Sequence, residues 1–275
     1  MSTEIYYFSG TGNSLHVAEN LQKKISDSKL MPIVSLLWKD VIETHGETVG
    51  FVFLLPGMTV PIPVKNFIEK VNLKSSQYNF AIVTRGGTKC FAFNKIDKIL
   101  KRKGRCLDSY FYLNMVSNDP KFEVYDIPTN ETIAKTESEI QNQIDLIQEI
   151  IIKKKKNRKS DSKFIAPSGF ALERLVLLGM FFAEHIRVKD YFYPNAKCNG
   201  CGTCAMVCPS QKIKIADGKP LWQNKVQCYM CYACLNYCPQ HSIQIHSKWF
   251  MKSYTEKNGR YPHPYASAKD ISKQK

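Results

Sequence analysis

Cys198-Asn199-Gly200-Cys201-Gly202-Thr203-Cys204-Ala205-Met206-Val207-Cys208-Pro209 is answered by Cys228-Tyr229-Met230-Cys231-Tyr232-Ala233-Cys234-Leu235-Asn236-Tyr237-Cys238-Pro239, with Cys228 twenty positions after Cys208. Each run reads C-x2-C-x2-C-x3-C-P. Eight soft thiolates in one short segment are what two cubane [4Fe-4S] clusters require. In each run the first three cysteines can wrap one cluster, while the fourth, set off by its longer spacing and the following proline, reaches the other. The spacing therefore assigns Cys198, Cys201, Cys204 and Cys238 to one cluster and Cys228, Cys231, Cys234 and Cys208 to its neighbour. Paired zinc sites or a disulfide scaffold are the competing readings. Zinc is content with four ligands in C-x2-C pairs and has no use for the third cysteine or the fourth before proline.

Over residues 193–246 this segment resembles bacterial-type two-cluster ferredoxins. The short apolar stretches Ile213-Lys214-Ile215 and Ile243-Gln244-Ile245 fall where that family places the strands closing each half. The module is an internal duplication, and the resemblance implies a small α+β fold.

A chain of 275 residues is too long for such a module alone and predicts a second domain upstream. Eight of the ten cysteines lie in the two runs; Cys90 and Cys106 sit in apolar neighbourhoods, which reads as a reducing compartment. Met1-Ser2-Thr3-Glu4 has no basic leader region, and the longest apolar stretch, residues 175–183, is far shorter than the roughly 20 residues of a membrane span. The expectation is a cytoplasmic protein with no membrane span.

The formal charge is +15, with 23 basic and 17 acidic residues in 1–159 and 16 and 7 in 160–275. Clusters with four thiolates each offset part of this excess. The remainder suits an acidic redox partner protein, because a basic face speeds encounter with acidic surfaces. The run Lys153-Lys154-Lys155-Lys156-Asn157-Arg158-Lys159 has no aromatic platform or recognition motif beside it, so it reads as a solvated helix end and not as a nucleic-acid site.

Near the start, Glu4-Ile5-Tyr6-Tyr7-Phe8 is a strand pattern that runs into Ser9-Gly10-Thr11-Gly12-Asn13-Ser14 and then a helical pattern over 15–25. A strand feeding a small hydroxyl-rich loop that opens a helix makes a phosphate cradle from backbone N–H groups, hydroxyls and the helix N-terminus. The loop has no lysine, so it is neither a Walker sequence nor a G-x-G-x-x-G fingerprint. Downstream, strands are predicted at 31–37, 48–55, 79–84 and 106–115, and helices at 64–71, 91–103 and 131–155. Strands alternating with helices imply a doubly wound parallel sheet, in the order 2-1-3-4-5.

The loop residues Ser9, Thr11, Gly12, Asn13 and Ser14 match the first loop of flavodoxin-like domains, which the chain resembles here. That resemblance implies FMN, with its phosphate on this loop and its ring between two later loops. These are Pro56-Gly57-Met58-Thr59 after the third strand and Arg85-Gly86-Gly87-Thr88 after the fourth. Flavodoxins commonly place an aromatic residue there to stack on the flavin; this chain offers Met58 and Arg85, whose thioether and guanidinium can cover a ring.

The organisation expected is a flavodoxin-like domain over 1–159, a linker with a packing helix over 160–192, a ferredoxin domain over 193–248 and a polar tail over 249–275. Apolar positions in 169–186 suggest that the helix joins the two modules. The tail sequence Arg260-Tyr261-Pro262-His263-Pro264-Tyr265 resembles that of EFR-family ferredoxins, which fuse these two modules. Two functions follow. In one, FMN and two [4Fe-4S] clusters form an electron-transfer flavoprotein; in the other, a ferredoxin-type carrier uses a flavin-free flavodoxin-like domain for docking. A reductase acting on an organic substrate finds no acid, base or nucleophile, since His16 falls inside a helix and His45 in a polar loop.

Overall fold

The computed structural model describes residues 2–159, 175, 178–179, 191–248 and 252–275. The chain begins with β1 (Thr3–Phe8), α1 (Asn13–Lys24), β2 (Ser28–Pro32), a 3-10 turn (Val34–Leu36), β3 (Ile42–Glu43) and β4 (Thr48–Leu54). It continues with α2 (Ile62–Lys70), β5 (Val71–Asn72), β6 (Tyr78–Arg85), α3 (Ala92–Lys101), β7 (Ser109–Asn114) and α4 (Asn130–Ile152). Five of these strands form one parallel sheet in the order β2-β1-β4-β6-β7. Counted along the sheet's own strands, that is 2-1-3-4-5, a flavodoxin-like fold.

The sheet is buried on both faces, so its strands read as continuous apolar runs rather than alternating ones. Phe51, Val52 and Phe53 of β4 are all fully buried, and alternate residues feed two separate apolar layers. One layer packs α1 and α4 against the sheet; α4 contributes Ile140, Ile144, Ile147 and Ile151, spaced to fall on one helical stripe. The other holds α2 and α3, the latter through Ala92, Phe93, Ile96, Ile99 and Leu100. Thr129 caps α4 by accepting the Thr132 N–H.

Local chemistry moved several boundaries from those expected. The strand predicted over 31–37 begins earlier and stops at Pro32: Ile33 still donates its N–H to the Tyr7 carbonyl, but its backbone is already right-handed helical, and residues 34–36 turn instead. The last sheet strand starts at Ser109 rather than Cys106, because Leu107 N–H is donated to Asp97 Oδ1 of α3. A short parallel pair, β3 with β5, was not foreseen.

The cysteine-rich part holds β8 (Phe192–Pro194), α5 (Thr203–Met206), β9 (Ile213–Ala216), β10 (Lys219–Trp222), α6 (Ala233–Asn236) and β11 (Ile243–Ile245). The expected strands at 213–215 and 243–245 are present, the first in a hairpin with β10 and the second antiparallel to β8. Duplication extends to the backbone. Left-handed residues recur thirty positions apart as Gly200 and Met230, Gly202 and Tyr232, and Gln211 and His241. The packing helix expected over 169–186 lies outside the described residues, apart from Leu175, Leu178 and Gly179.

Although polar in composition, the tail is held firmly. Arg260 donates to the Ile243 carbonyl and to Gln244 Oε1, and Tyr261 N–H donates to Asn236 Oδ1. It ends in α7 (Ala268–Ser272), whose Ser267 and Asp270 form a reciprocal capping box. Ile271 of α7 and Ala266 join Val207, Ala233 and Tyr237 of the cysteine-rich part in the same apolar layer as α1 and α4. Truncating Ile271 to Ala should therefore cost about 2–5 kcal/mol in urea unfolding of the full chain, as for a core isoleucine. A change below about 0.5 kcal/mol would mean that the tail lies on the surface.

Candidate functional site

The duplicated turns bring the thiols together crosswise. Cys198, Cys201 and Cys204 of the first run line one small cavity with Cys238 of the second, along with Gly200, Gly202, Ser242 and Ile243. Burial pushes the Cys204 thiol up to about 11, and the facing Cys238, Cys201 and Cys198 add to the shift. Burial likewise takes Cys228 to about 11, with Cys208 contributing, and drives Cys231 and Cys234 upward with Cys208 and Cys228 among their charged neighbours. Cys201, exposed, moves the other way because the Thr203 hydroxyl supports its thiolate. Thiols packed this closely oppose one another's ionisation, and iron cations reverse that preference.

Among the described residues, no three thiols meet within the 4.8 Å that groups His16, Glu137 and His263. A single tetrahedral zinc with Zn–S bonds of about 2.3 Å draws its sulfurs to about 3.8 Å from one another. Soft thiolate donors in groups of four are the donor set of a cubane cluster. Hydrogen-bond donors already face several sulfurs: Met230 N–H toward Cys228 Sγ at 3.4 Å and Ser242 N–H toward Cys238 Sγ at 3.2 Å. Such contacts tune cluster potentials. Phe192, Trp222, Tyr232, Leu235 and Ile243 pack around the buried cysteines of the quartets, and Tyr191 reaches Tyr232 hydroxyl to hydroxyl at 3.0 Å. His241 is exposed, and His246 stacks on Tyr193 at 4.1 Å; neither joins a quartet.

The loop of residues 9–14 sits at the carboxyl end of β1, beside the switch point between β1 and β4. All six residues are buried. Ser14 Oγ pairs with Thr84 Oγ1 at 2.8 Å, Asn118 Nδ2 donates to Thr11 Oγ1, and Asn13 Nδ2 donates to the Val116 carbonyl at 3.3 Å. Asn13 Oδ1 is buried without a partner, and no side chain caps the N-terminus of α1. Because Thr11 Oγ1 accepts from Asn118, its own O–H remains to donate. An uncapped helix start, a free hydroxyl donor and an orphaned amide fit the phosphate and polar chain of FMN.

The glycines of this loop serve protein contacts. A Cβ on Gly10 would collide with the carbonyl oxygen of Cys231, and one on Gly12, where φ is +107°, would lie 2.6 Å from His263 Cβ and 2.7 Å from Ala266 Cβ. Ser9 N–H donates to Gln274 Oε1 at 2.8 Å while Gln274 Nε2 donates back to the Ser9 carbonyl at 2.9 Å. The Thr11 carbonyl accepts from His263 N–H at 2.7 Å and from the Tyr237 hydroxyl at 3.2 Å. Sequence reasoning missed Asn118, Tyr237, His263 and Gln274. The only signal was the dense aromatic and histidine content of residues 260–265.

The two later loops are less alike than their sequences suggest. Met58 is half-buried in a left-handed conformation (φ +70°) after Pro56 and the exposed Gly57, and its carbonyl accepts the Phe91 N–H. Arg85 lies over the Tyr112 ring at 4.7 Å, donates to Asn114 Oδ1 and to the Thr88 carbonyl, and is thereby held at the sheet edge beside exposed Gly86 and Gly87.

Residues 197–243 match the family model of a 4Fe-4S dicluster domain, a range that holds all eight cysteines of the two runs. The match supports [4Fe-4S] binding and electron transfer. No curated protein matches the chain. Among solved structures, a Bacteroides uniformis protein described as a flavoprotein is similar at 16% identity, over 41% of this chain and 89% of its own, with a TM-score of 0.32. Among the described residues, no helix is long and apolar enough to cross a membrane.

The loop contact can be tested by two glycines with ordinary backbone angles. Gly10→Ala should lose about 1–3 kcal/mol of stability, because the Cys231 backbone stands in the way. Gly86→Ala, whose nearest neighbour would be Ser117 Cβ at 3.7 Å, should stay within about 0.5 kcal/mol of the parent. Equal losses in denaturant titrations would contradict the contact.

Proposed function

We propose that the chain is an electron-transfer iron–sulfur flavoprotein. FMN, held through its phosphate by the loop of residues 9–14, exchanges electrons with two [4Fe-4S] clusters, and the clusters exchange them with a partner protein. The observation that carries this reading is the contact between Gly10 of the loop and the backbone of Cys231, a cysteine of the second run. Tyr229 of the same run also packs edge-on against Phe8 at the end of β1. A chain that joins the two sites replaces a diffusional encounter by a fixed short distance.

In this reading Cys228, Cys231, Cys234 and Cys208 hold an inner cluster beside the loop, and Cys198, Cys201, Cys204 and Cys238 hold an outer one. When bound, FMN supplies two-electron exchange and each cluster passes one electron at a time. The residues of the chain supply placement. Thr11 donates its hydroxyl to the phosphate, Met58 lies against the ring, and Tyr191, Phe192 and Tyr232 keep water from the inner cluster. Arg85, already engaged by Tyr112, bounds the ring site from the sheet edge together with Gly86 and Gly87. Cys201 is the exposed thiol, so the outer cluster is the exit. Lys214 and Lys219 are exposed on the same hairpin, with Lys219 Nζ donating to the Cys198 carbonyl, and they suit an acidic partner. The combination is that of the EFR-family fusion that the sequence resembles.

A second reading has its own support: the loop glycines and the Ser9 and Thr11 backbone are engaged by protein. There the flavodoxin-like domain binds no flavin and serves as the seat of the ferredoxin half and as a docking module. Anaerobic purification followed by iron, sulfide and released-flavin analysis separates the two. Both require about eight iron and eight sulfide atoms per chain. Only the first takes up FMN, seen as fluorescence quenching on titration of the cluster-loaded protein. Thr11→Ala should then weaken FMN by roughly one to two powers of ten, the worth of one hydrogen bond to a charged acceptor, and riboflavin far less. No quenching by FMN would leave the docking reading. Cys208→Ser should damage the inner cluster selectively, and loss of the outer one instead would reverse the ligand assignment.

A further inference from the structure

His16 of α1, Glu137 of α4 and His263 of the tail come from three distant parts of the chain and meet at one point. One ligand atom from each lies within 4.8 Å of the other two. His16 is 7% exposed and His263 4%, while the Glu137 side chain is 21% exposed. Glu137 Oε1 stands 2.8 Å from His16 Nε2, and the His263 ring lies over the His16 ring at a centroid distance of 4.4 Å. Tyr265 stacks on His16 at 5.2 Å. None of these residues takes part in the cluster quartets or the flavin loops.

We propose that His16, Glu137 and His263 bind a divalent first-row transition cation of the zinc class. Two imidazoles and one carboxylate are the donor set that suits zinc, iron(II) or cobalt(II); calcium and magnesium require mostly oxygen ligands. The protonation state of His263 agrees with that role. Burial, helped by the neighbouring His16, takes the His263 imidazole down to about 4, so it is neutral and has a lone pair to give. Gln141 Nε2 donates to Glu137 Oε1 at 2.7 Å, an outer hydrogen bond of the kind that orients a metal-binding carboxylate. The partly exposed side at Glu137 leaves room for water as a fourth ligand.

The consequence is a clamp. His263 N–H holds the Thr11 carbonyl, so a cation on its ring ties the tail, α1 and α4 together directly behind the loop of residues 9–14. A hydrogen-bonded His–Glu pair with a second histidine packed on it would have the same contacts and no affinity for metal.

Cobalt(II) distinguishes them on the full cluster-loaded chain under anaerobic conditions, after dialysis against a chelator. The site should take up about one cobalt per chain with visible d–d absorption, and zinc should displace it. Thermal unfolding should shift upward with zinc. Glu137→Gln, nearly isosteric and at a partly exposed position, and His263→Gln should each weaken cobalt binding roughly 100-fold or more with iron and sulfide content unchanged. Failure of the parent chain to bind cobalt overturns the proposal even if a variant does not fold. Equal binding by parent and Glu137→Gln, which would place the metal on other residues, also overturns it. Neither result depends on whether FMN binds.

Discussion

The backbone of Cys231 occupies the space that any side chain at position 10 would need, and the arrangement of the two halves follows from that approach. It seats the second cysteine run on the carboxyl end of β1, where a doubly wound sheet places its ligands. The tail then closes around the same loop, with His263 joining Tyr237 of the second cysteine run on the Thr11 carbonyl and Gln274 on both backbone groups of Ser9. One loop thus combines a hydroxyl-rich helix start with a protein interface at its glycines. These demands agree only because residues 10 and 12 have no side chain.

The cysteine-rich part meets a different constraint. Each short helix must start from a left-handed residue, supplied as Gly202 in the first repeat and Tyr232 in the second. Tyrosine is a costly choice for that conformation. Its hydroxyl bonds to that of Tyr191 and accepts from the Lys121 ammonium, so the strain accompanies a tie between the halves. Repeats of one ancestry have therefore diverged: the first keeps its glycine and an exposed cysteine, and the second is built into the interface.

Much of this was legible in the sequence. The spacing of the cysteines, the loop of residues 9–14 and the alternation of strands and helices are local patterns, and the alternation implies a doubly wound parallel sheet. The tail was not legible. Arg260, His263 and Gln274 are polar residues without periodicity, and their burial comes entirely from partners far away in the chain. His16 read as an ordinary helix residue because its neighbours, Glu137 and His263, lie 121 and 247 positions onward. Nothing local in the sequence signals that Arg85 lies over the Tyr112 ring.

Electron exchange between the loop and the clusters is the central claim, and flash photoreduction of the FMN-loaded, cluster-loaded chain tests it most directly. Flavin bleaching and cluster reduction would be followed together at several protein concentrations. Transfer within one molecule predicts that the clusters are reduced with a first-order rate that does not change with concentration. A rate that rises in proportion to concentration, or flavin reduction with the clusters left oxidised, would contradict it.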